Sequence, residues 1–189
     1  MMSEKLPLPP CPECVTVLDH GVPLEITFEA CRLYHGEDSI GGLALGFRLL
    51  AWALPQLSGS PLGRGEITFA TAFPGPGLKD AVEMVTRAAS RGMLRVLYEA
   101  PASAPEGVYG RMYFEVAARG RTLRVTLAPG AVSEEFVQTG RLVKAGSADA
   151  GVHVRWERLK RELARAVLLA DPEKLFVPVA ADCPLETFA

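Results

Sequence analysis

The chain has 189 residues, of which 49% are hydrophobic and 22% are charged, and its formal net charge is −2. A chain of this length and composition is typical of a soluble globular protein with one domain and a core of its own. The nearly balanced charge excludes an electrostatic case for nucleic acid as a partner, because proteins that bind nucleic acid carry basic surfaces.

The N-terminal segments predict an irregular arm, a strand and a helix. Residues 1–10 are rich in proline and lack the charged and apolar regions of an export signal, so we expect a cytoplasmic protein. Residues 15–18 favour a short strand that ends at a turn formed by His20 and Gly21. A helix is predicted over residues 23–34, because the proline at its start is well tolerated in a first helical turn.

A second predicted helix, over residues 42–57, contains the longest apolar run of the chain. Arg48 and Pro55 interrupt this run, which is too short to span a bilayer. We therefore expect the helix to be buried in the protein core, and we expect no membrane as a partner.

The rest of the chain alternates between strands and helices. Alternating polar and apolar residues predict four strands, over residues 66–72, 93–99, 108–117 and 122–127. Helical spacing of apolar residues predicts three helices, over residues 78–90, 132–143 and 153–169. The last two strands are joined by a tight turn and form a predicted antiparallel hairpin. The predicted fold is therefore α+β: a mostly antiparallel sheet of about four strands packed with helices, plus a C-terminal charged helix.

Composition divides the chain into three predicted segments. These are a cysteine-containing N-terminal arm over residues 1–22, an α+β domain over residues 23–145, and a C-terminal helix and tail over residues 146–189. The C-terminal helix carries an apolar stripe under a densely charged face, and this stripe must pack on its own domain or on a second copy. Because the small sheet also leaves edges to cover, we expect a homodimer.

The cysteines suggest a metal site. Cys11 and Cys14 form a C-x₂-C pair, and Cys31 lies four residues before His35, on the same helical face. Together they supply the four nitrogen and sulfur ligands that a structural zinc ion needs. Cys183 is a rival third ligand that would join the two ends of the chain. The alternative is a reduced, flexible cysteine pair, with Cys31 as a small core residue.

The loop after the first helix concentrates polar side chains. His35 is either a structural histidine or a group that, with Glu37, binds a cation or acts as an acid–base pair. Glu37 and Asp38 are also placed to cap the helix that follows, whose N-terminus favours carboxylates. Glu37 and Ser39 are therefore candidate ligand-binding residues. Lys79 is a third, because it lies in a first helical turn where free N–H groups bind anions.

Residues 34–48 resemble the His-Gly-His-x-Cys-Pro-Gly-Leu-Ala-x-Gly-Tyr-Arg signature of the formylmethanofuran dehydrogenase E-subunit family. The matching positions are Tyr34, His35, Gly36, Gly42, Leu43, Ala44, Leu45, Gly46, Phe47 and Arg48. Glu37 stands in place of the second histidine, Ser39 stands near the cysteine position, and one extra residue precedes Gly42. A weaker similarity continues at residues 80–82, and the resemblance as a whole covers residues 24–145.

The resemblance implies a fold, a function and a role for His35. The matching histidine of the family signature is a metal ligand, whereas the thiolate chemistry of the family does not transfer to Ser39. We therefore expect a zinc-binding accessory protein, acting as a non-catalytic component of a larger one-carbon or formate redox complex. The alternative is a small metal-dependent hydrolase that uses His35 and Glu37 around a metal with an open coordination position. The sequence leaves open whether the protein is catalytic.

Overall fold

The computed structural model describes residues 6–188, and these residues form ten strands and six α-helices. The strands are β1 (Cys14–Asp19), β2 (Val22–Thr27), β3 (Leu62–Gly63), β4 (Thr68–Thr71), β5 (Leu94–Val96), β6 (Glu99–Ala100), β7 (Tyr113–Ala118), β8 (Arg121–Leu127), β9 (Phe176–Pro178) and β10 (Glu186–Thr187). The helices are α1 (Phe28–His35), α2 (Ile40–Leu57), α3 (Pro76–Thr86), α4 (Glu134–Lys144), α5 (Ala150–Leu169) and α6 (Pro172–Leu175). The predicted α+β class is confirmed.

The main sheet has five strands in the order β5-β4-β7-β8-β9. β4 and β5 are parallel, and the other three pairings are antiparallel. The four strands predicted for the sheet all lie here, and the fifth strand, β9, was not predicted. β9 is formed by the proline-rich tail, where the residue pattern predicts no strand. Its Pro178 is accommodated because an edge strand needs no hydrogen-bond donor on its open side.

A second sheet, in the order β2-β1-β3, corrects the prediction of a helix over residues 23–34. Residues 22–27 instead form β2, which pairs with β1 through a turn where His20 and Gly21 both have positive φ. The alternating, partly β-branched residues of β2 favour a strand over a helix. The helix begins only at Phe28, because the side chain of Thr27 accepts a hydrogen bond from the N–H of Ala30 at 3.1 Å and caps it.

α2 is the central helix of the fold. Most of its residues are buried, and it packs on both α3 and α5. By length and composition alone α2 could cross a membrane, but 78% of that stretch is buried inside the protein. A Cβ atom added to Gly77 of α3 would lie 2.2 Å from the carbonyl oxygen of Ser39. Only glycine therefore lets the starts of α2 and α3 approach this closely.

Contacts join the central domain to both predicted end segments. β1 pairs with β2, and the Arg48 guanidinium on α2 bonds the Glu13 carboxylate and the carbonyl oxygen of Ala170. Two residues of the apolar stripe of α5, Val167 and Leu168, are buried in the main core of the same chain. The stripe that motivated the homodimer is thus covered within one chain, and the homodimer itself stays a prediction.

Candidate functional site: a cleft between helix N-termini

His35, at the end of α1, bonds α3 through one ring nitrogen and the N-cap residue of α2 through the other. Its Nδ1 lies 2.7 Å from Oδ2 of Asp80, and its Nε2 accepts a hydrogen bond from the N–H of Ser39 at 3.2 Å. Because Nε2 is the acceptor, Nδ1 carries the proton and donates it to Asp80. The His35 side chain is only 6% exposed. A metal ion could bind this imidazole only by displacing one of the two hydrogen bonds.

The two acidic side chains after His35 contact basic residues. Glu37 accepts hydrogen bonds from Arg32 at 2.5 Å and from Arg161 at 3.0 Å, so its carboxylate is held between α1 and α5 rather than against His35. Asp38 accepts from Nζ of Lys160 at 2.6 Å. The expectation that the carboxylates cap α2 is wrong, because the N-cap residue is Ser39 and no side chain bonds the first N–H groups of the helix.

The predicted cysteine ligands are spread over several environments. Cys31 is fully buried in the core and Cys14 is exposed at the start of β1, while Cys11 and Cys183 are partly buried. Burial raises the pKa of the Cys31 thiol to about 12. It also raises the pKa of Cys11 to about 11, helped by the hydrogen bond that the thiol donates to Glu13. Both thiols are therefore protonated at neutral pH.

Across residues 6–188, no group of three or more His, Cys, Asp or Glu side chains is arranged to hold a metal ion. The five predicted ligands, Cys11, Cys14, Cys31, His35 and Cys183, are not brought together in this arrangement. Zinc binding would require the thiols to lose their protons and the arm to move, because metal ligation and folding of a site are coupled. Zinc binding stays a prediction.

The N-termini of α2 and α3 meet α4 and α5 at a cleft with a cavity of about 60 Å³. Four aromatic side chains form part of its walls. Phe136 and Trp156 pack with ring centroids 4.7 Å apart, and Phe73 and Tyr109 meet edge to face at 5.9 Å. Leu163 of α5 extends this apolar surface toward α2. Such walls bind flat apolar groups well, since aromatic rings stack in offset and edge-to-face geometries.

Two helix starts also line the cleft. Gly41 and Gly42 belong to the first turn of α2, and Gly75 and Gly77 to the start of α3. Neither helix has a side-chain cap or an acidic residue in its first turn. The first N–H groups of a helix lack partners within it and form its positive end. This side of the cleft therefore favours carbonyl or carboxylate oxygens.

Lys160 supplies the cationic side chain of the cleft. Its side chain is only 4% exposed, and Nζ lies 2.6 Å from Asp38, 2.7 Å from Glu157 and 5.9 Å from the ring centre of Trp156. Two carboxylates therefore neutralise this buried ammonium group. The Asp38 side chain is mostly exposed, and Lys160 is its hydrogen-bond partner in the described structure. An anionic ligand would compete with Asp38 for Lys160.

Of the three predicted ligand-binding residues, only Ser39 lines the cleft. Glu37 is held by arginines outside the cleft, and Lys79 is exposed on α3. The loop before Lys79 does contribute, through Gly75 and Gly77. Sequence reasoning missed the aromatic walls and Lys160, because they come from four separate elements. Each such residue alone has the pattern of an ordinary amphipathic helix or loop.

Comparisons with known proteins do not assign the chain to a family. No protein-family model matches the sequence, and a search of curated proteins finds no match. The similarity of residues 34–48 to the formylmethanofuran dehydrogenase signature therefore stays a prediction, and the cleft is interpreted from its own geometry.

Replacing His35 with alanine is expected to lower the free energy of unfolding by about 1–3 kcal/mol, because it leaves Asp80 and the N–H of Ser39 without their partner. Urea unfolding measures this change, and His153→Ala, at an exposed position on α5, is the control. Zinc content measured on the same samples separates the two roles of His35. Unchanged stability with a loss of bound zinc would identify His35 as a ligand instead.

Proposed function

We propose that the protein binds a small molecule in the cleft between the N-termini of α2 and α3 and the aromatic faces of α4 and α5. One observation carries the proposal: two uncapped helix starts and two aromatic pairs border the same concave site. Ligand sites of proteins are typically concave and mostly apolar, with a few polar groups that orient the ligand.

The lining favours binding over catalysis. Ser39 and Tyr109 carry the hydroxyl groups among the described residues of the cleft, and neither side chain makes a hydrogen bond to a general base there. The Nζ of Lys160 is engaged in ion pairs with two carboxylates, so it is not free to act as a nucleophile. An activated nucleophile needs a base within hydrogen-bond reach, and the described part of the cleft offers no such pair.

The ligand class follows from the two kinds of group that line the cleft. The uncapped helix starts would hold a carboxylate, and the aromatic side chains would hold a flat or branched apolar body. The cavity volume of about 60 Å³ is well below the roughly 300–1,000 Å³ of ordinary small-molecule sites. The cavity would thus take one end of the ligand, with the remainder in the open mouth of the cleft. We infer a small apolar carboxylate.

Tryptophan fluorescence tests the proposal directly. The chain has two tryptophans: Trp156 lines the cleft, whereas Trp52 stacks on Phe176 in the core and donates to Glu173. In the Trp52→Phe variant all indole emission comes from Trp156. We expect benzoate or 3-methylbutanoate to change this emission saturably, and the matching neutral amides to do so more weakly.

A pair of substitutions on α5 supplies the control. Leu163→Phe extends a ring into the cleft and is expected to weaken carboxylate binding at least about tenfold, equivalent to about 1.4 kcal/mol. Leu169→Phe makes the same chemical change at an exposed position of the same helix and should leave affinity unchanged. Equal titrations of both variants would contradict a ligand site in the cleft.

A zinc-binding accessory role is a second proposal, which one contact supports. Cys11 packs on the main core cluster that includes the buried Cys31, so two of the predicted thiol ligands lie where the arm meets that core. Zinc would displace the thiol protons of Cys11 and Cys31 and would link the N-terminal arm to α1. The zinc content of the purified protein tests this role independently of the cleft. A place in a larger redox complex also stays a proposal.

A further inference from the structure

The cleft carries a carboxylate beside one of its two helix starts. Asp38 lines the cleft and directly precedes Ser39, the N-cap residue of α2. The Asp38 side chain is 83% exposed, whereas the Lys160 side chain is 4% exposed. Of the two charged side chains that line the described part of the cleft, the one open to solvent is therefore the carboxylate.

The charge of Asp38 is only partly neutralised. Its Oδ1 accepts a hydrogen bond from Nζ of Lys160 at 2.6 Å, while its Oδ2 has no hydrogen-bond partner among the described residues. The same ammonium group lies 2.7 Å from the carboxylate of Glu157. Two carboxylates thus share one positive charge. Oδ2 of Asp38 is consequently an open acceptor, and a carboxylate oxygen forms its strong hydrogen bonds with cationic donors.

This arrangement discriminates between two kinds of apolar carboxylate. A plain carboxylate held by the first N–H groups of α2 would place its charge close to Asp38, and like charges repel. An α-amino acid carries an ammonium group one carbon away from its carboxylate. That ammonium group would bind Asp38 while the carboxylate binds the helix start, so each charge of the ligand would meet an opposite one.

We propose that the ligand of the cleft is an α-amino acid with an apolar side chain, whose ammonium group donates to Oδ2 of Asp38. This inference rests on the carboxylate site proposed above and narrows its ligand class. The side chain of the amino acid would enter the cavity of about 60 Å³, which Trp156 and Leu163 line. Its charged end would stay at the mouth of the cleft, beside the exposed Asp38.

Isothermal titration calorimetry of the whole chain at neutral pH tests the ligand class with a matched pair of compounds. Leucine and 4-methylpentanoate have the same carbon skeleton and differ only in the amino group. We expect leucine to bind at least about fivefold more tightly, because it gains an ion pair and escapes a repulsion. Equal affinities, or tighter binding of 4-methylpentanoate, would overturn the amino-acid proposal and leave the carboxylate site in place. Binding of neither compound would overturn both proposals.

A substitution tests whether Asp38 binds the ammonium group. In Asp38→Asn the preference for leucine over 4-methylpentanoate should fall below about twofold, because the amide carries no charge to attract or repel the ligand. Asp182→Asn, the same change at an exposed position of the C-terminal tail, should retain the wild-type preference. A preference that persists in Asp38→Asn would overturn the proposal.

A further comparison needs no variant. In 2-hydroxy-4-methylpentanoate a neutral hydroxyl group replaces the ammonium group of leucine, so this compound should bind the wild-type protein more weakly than leucine does. Binding as tight as that of leucine would show that the charge of the ammonium group is not recognised. That result would overturn the proposal even if Asp38→Asn failed to fold.

Discussion

Gly77→Ala is expected to lower the free energy of unfolding by about 3 kcal/mol or more. The added Cβ would lie 2.2 Å from the carbonyl oxygen of Ser39 and 2.6 Å from the backbone nitrogen of Leu43. Both atoms belong to the backbone and cannot move aside as a side chain would. Overpacking a core typically costs about 1–3 kcal/mol, and contacts to rigid backbone lie at or above the upper end of that range.

The sign of this effect depends on a competition between two terms. Alanine is favoured over glycine inside a helix by about 1 kcal/mol, so an unobstructed substitution in α3 would stabilise the protein. We expect the clash to exceed this gain, because α2 and α3 would have to separate along their starts. Urea unfolding monitored by circular dichroism measures the difference.

Gly59→Ala is the matched control for this prediction. Gly59 lies in the loop after α2, and an added Cβ there would meet no atom within 4 Å. Its stability should stay within about 0.5 kcal/mol of the wild type, as is usual for surface substitutions. A Gly77→Ala variant as stable as Gly59→Ala would mean that the two helix starts are not in close contact in solution.

Local sequence patterns predicted most of the helices and strands but misplaced or missed the others. Pro23 suggested a first helical turn, yet it lies in the edge strand β2, since the alternation of residues 22–27 outweighs the preference of one proline. β9 was missed because an edge strand tolerates Pro178, which local rules treat as a breaker. Both segments are strands because each pairs with another strand, β2 with β1 and β9 with β8.

The candidate site was predicted only in part, for a physical reason. Ser39 and the loop before Lys79 were identified because polar residues and glycines at helix starts have a local signature. The partner of His35 is Asp80, which lies 45 positions away, and no local spacing predicts that contact. The aromatic pair Phe136 and Trp156 likewise forms only when α4 packs on α5. A site whose residues meet only through tertiary contacts gives little signal in the spacing of those residues along the sequence.

Arg48, the last of the positions that match the similar signature, has a structural role. The Arg48 side chain is 5% exposed. From the central helix α2, its guanidinium bonds Glu13 of the N-terminal arm and, at 2.6 Å, the carbonyl oxygen of Ala170 at the end of α5. None of the three residues lines the cleft. Arg48 is therefore an anchor that joins both ends of the chain to the core.

Arg48→Met is expected to lower the free energy of unfolding by about 2–3 kcal/mol. Removing one partner of a buried ion pair typically costs about 3–5 kcal/mol. The cost should be smaller here, because the Glu13 carboxylate is more than a third exposed and regains water. Arg158→Met, the same change at an exposed position, should cost no more than about 0.5 kcal/mol. Equal losses in the two variants would exclude the anchor.

The pH dependence of this loss identifies its source. Burial raises the pKa of Glu13, but hydrogen bonds from Arg48 and Cys11 outweigh it and lower the pKa below its usual value. A lowered pKa in the folded state stabilises the protein above the unfolded pKa of about 4.3, and this contribution is lost as the pH falls through the folded value. The stability gap between wild type and Arg48→Met should therefore be full at pH 7 and shrink below about pH 4. A gap of the same size at pH 3 and pH 7 would show that packing of the Arg48 side chain, rather than its ion pair with Glu13, holds the arm.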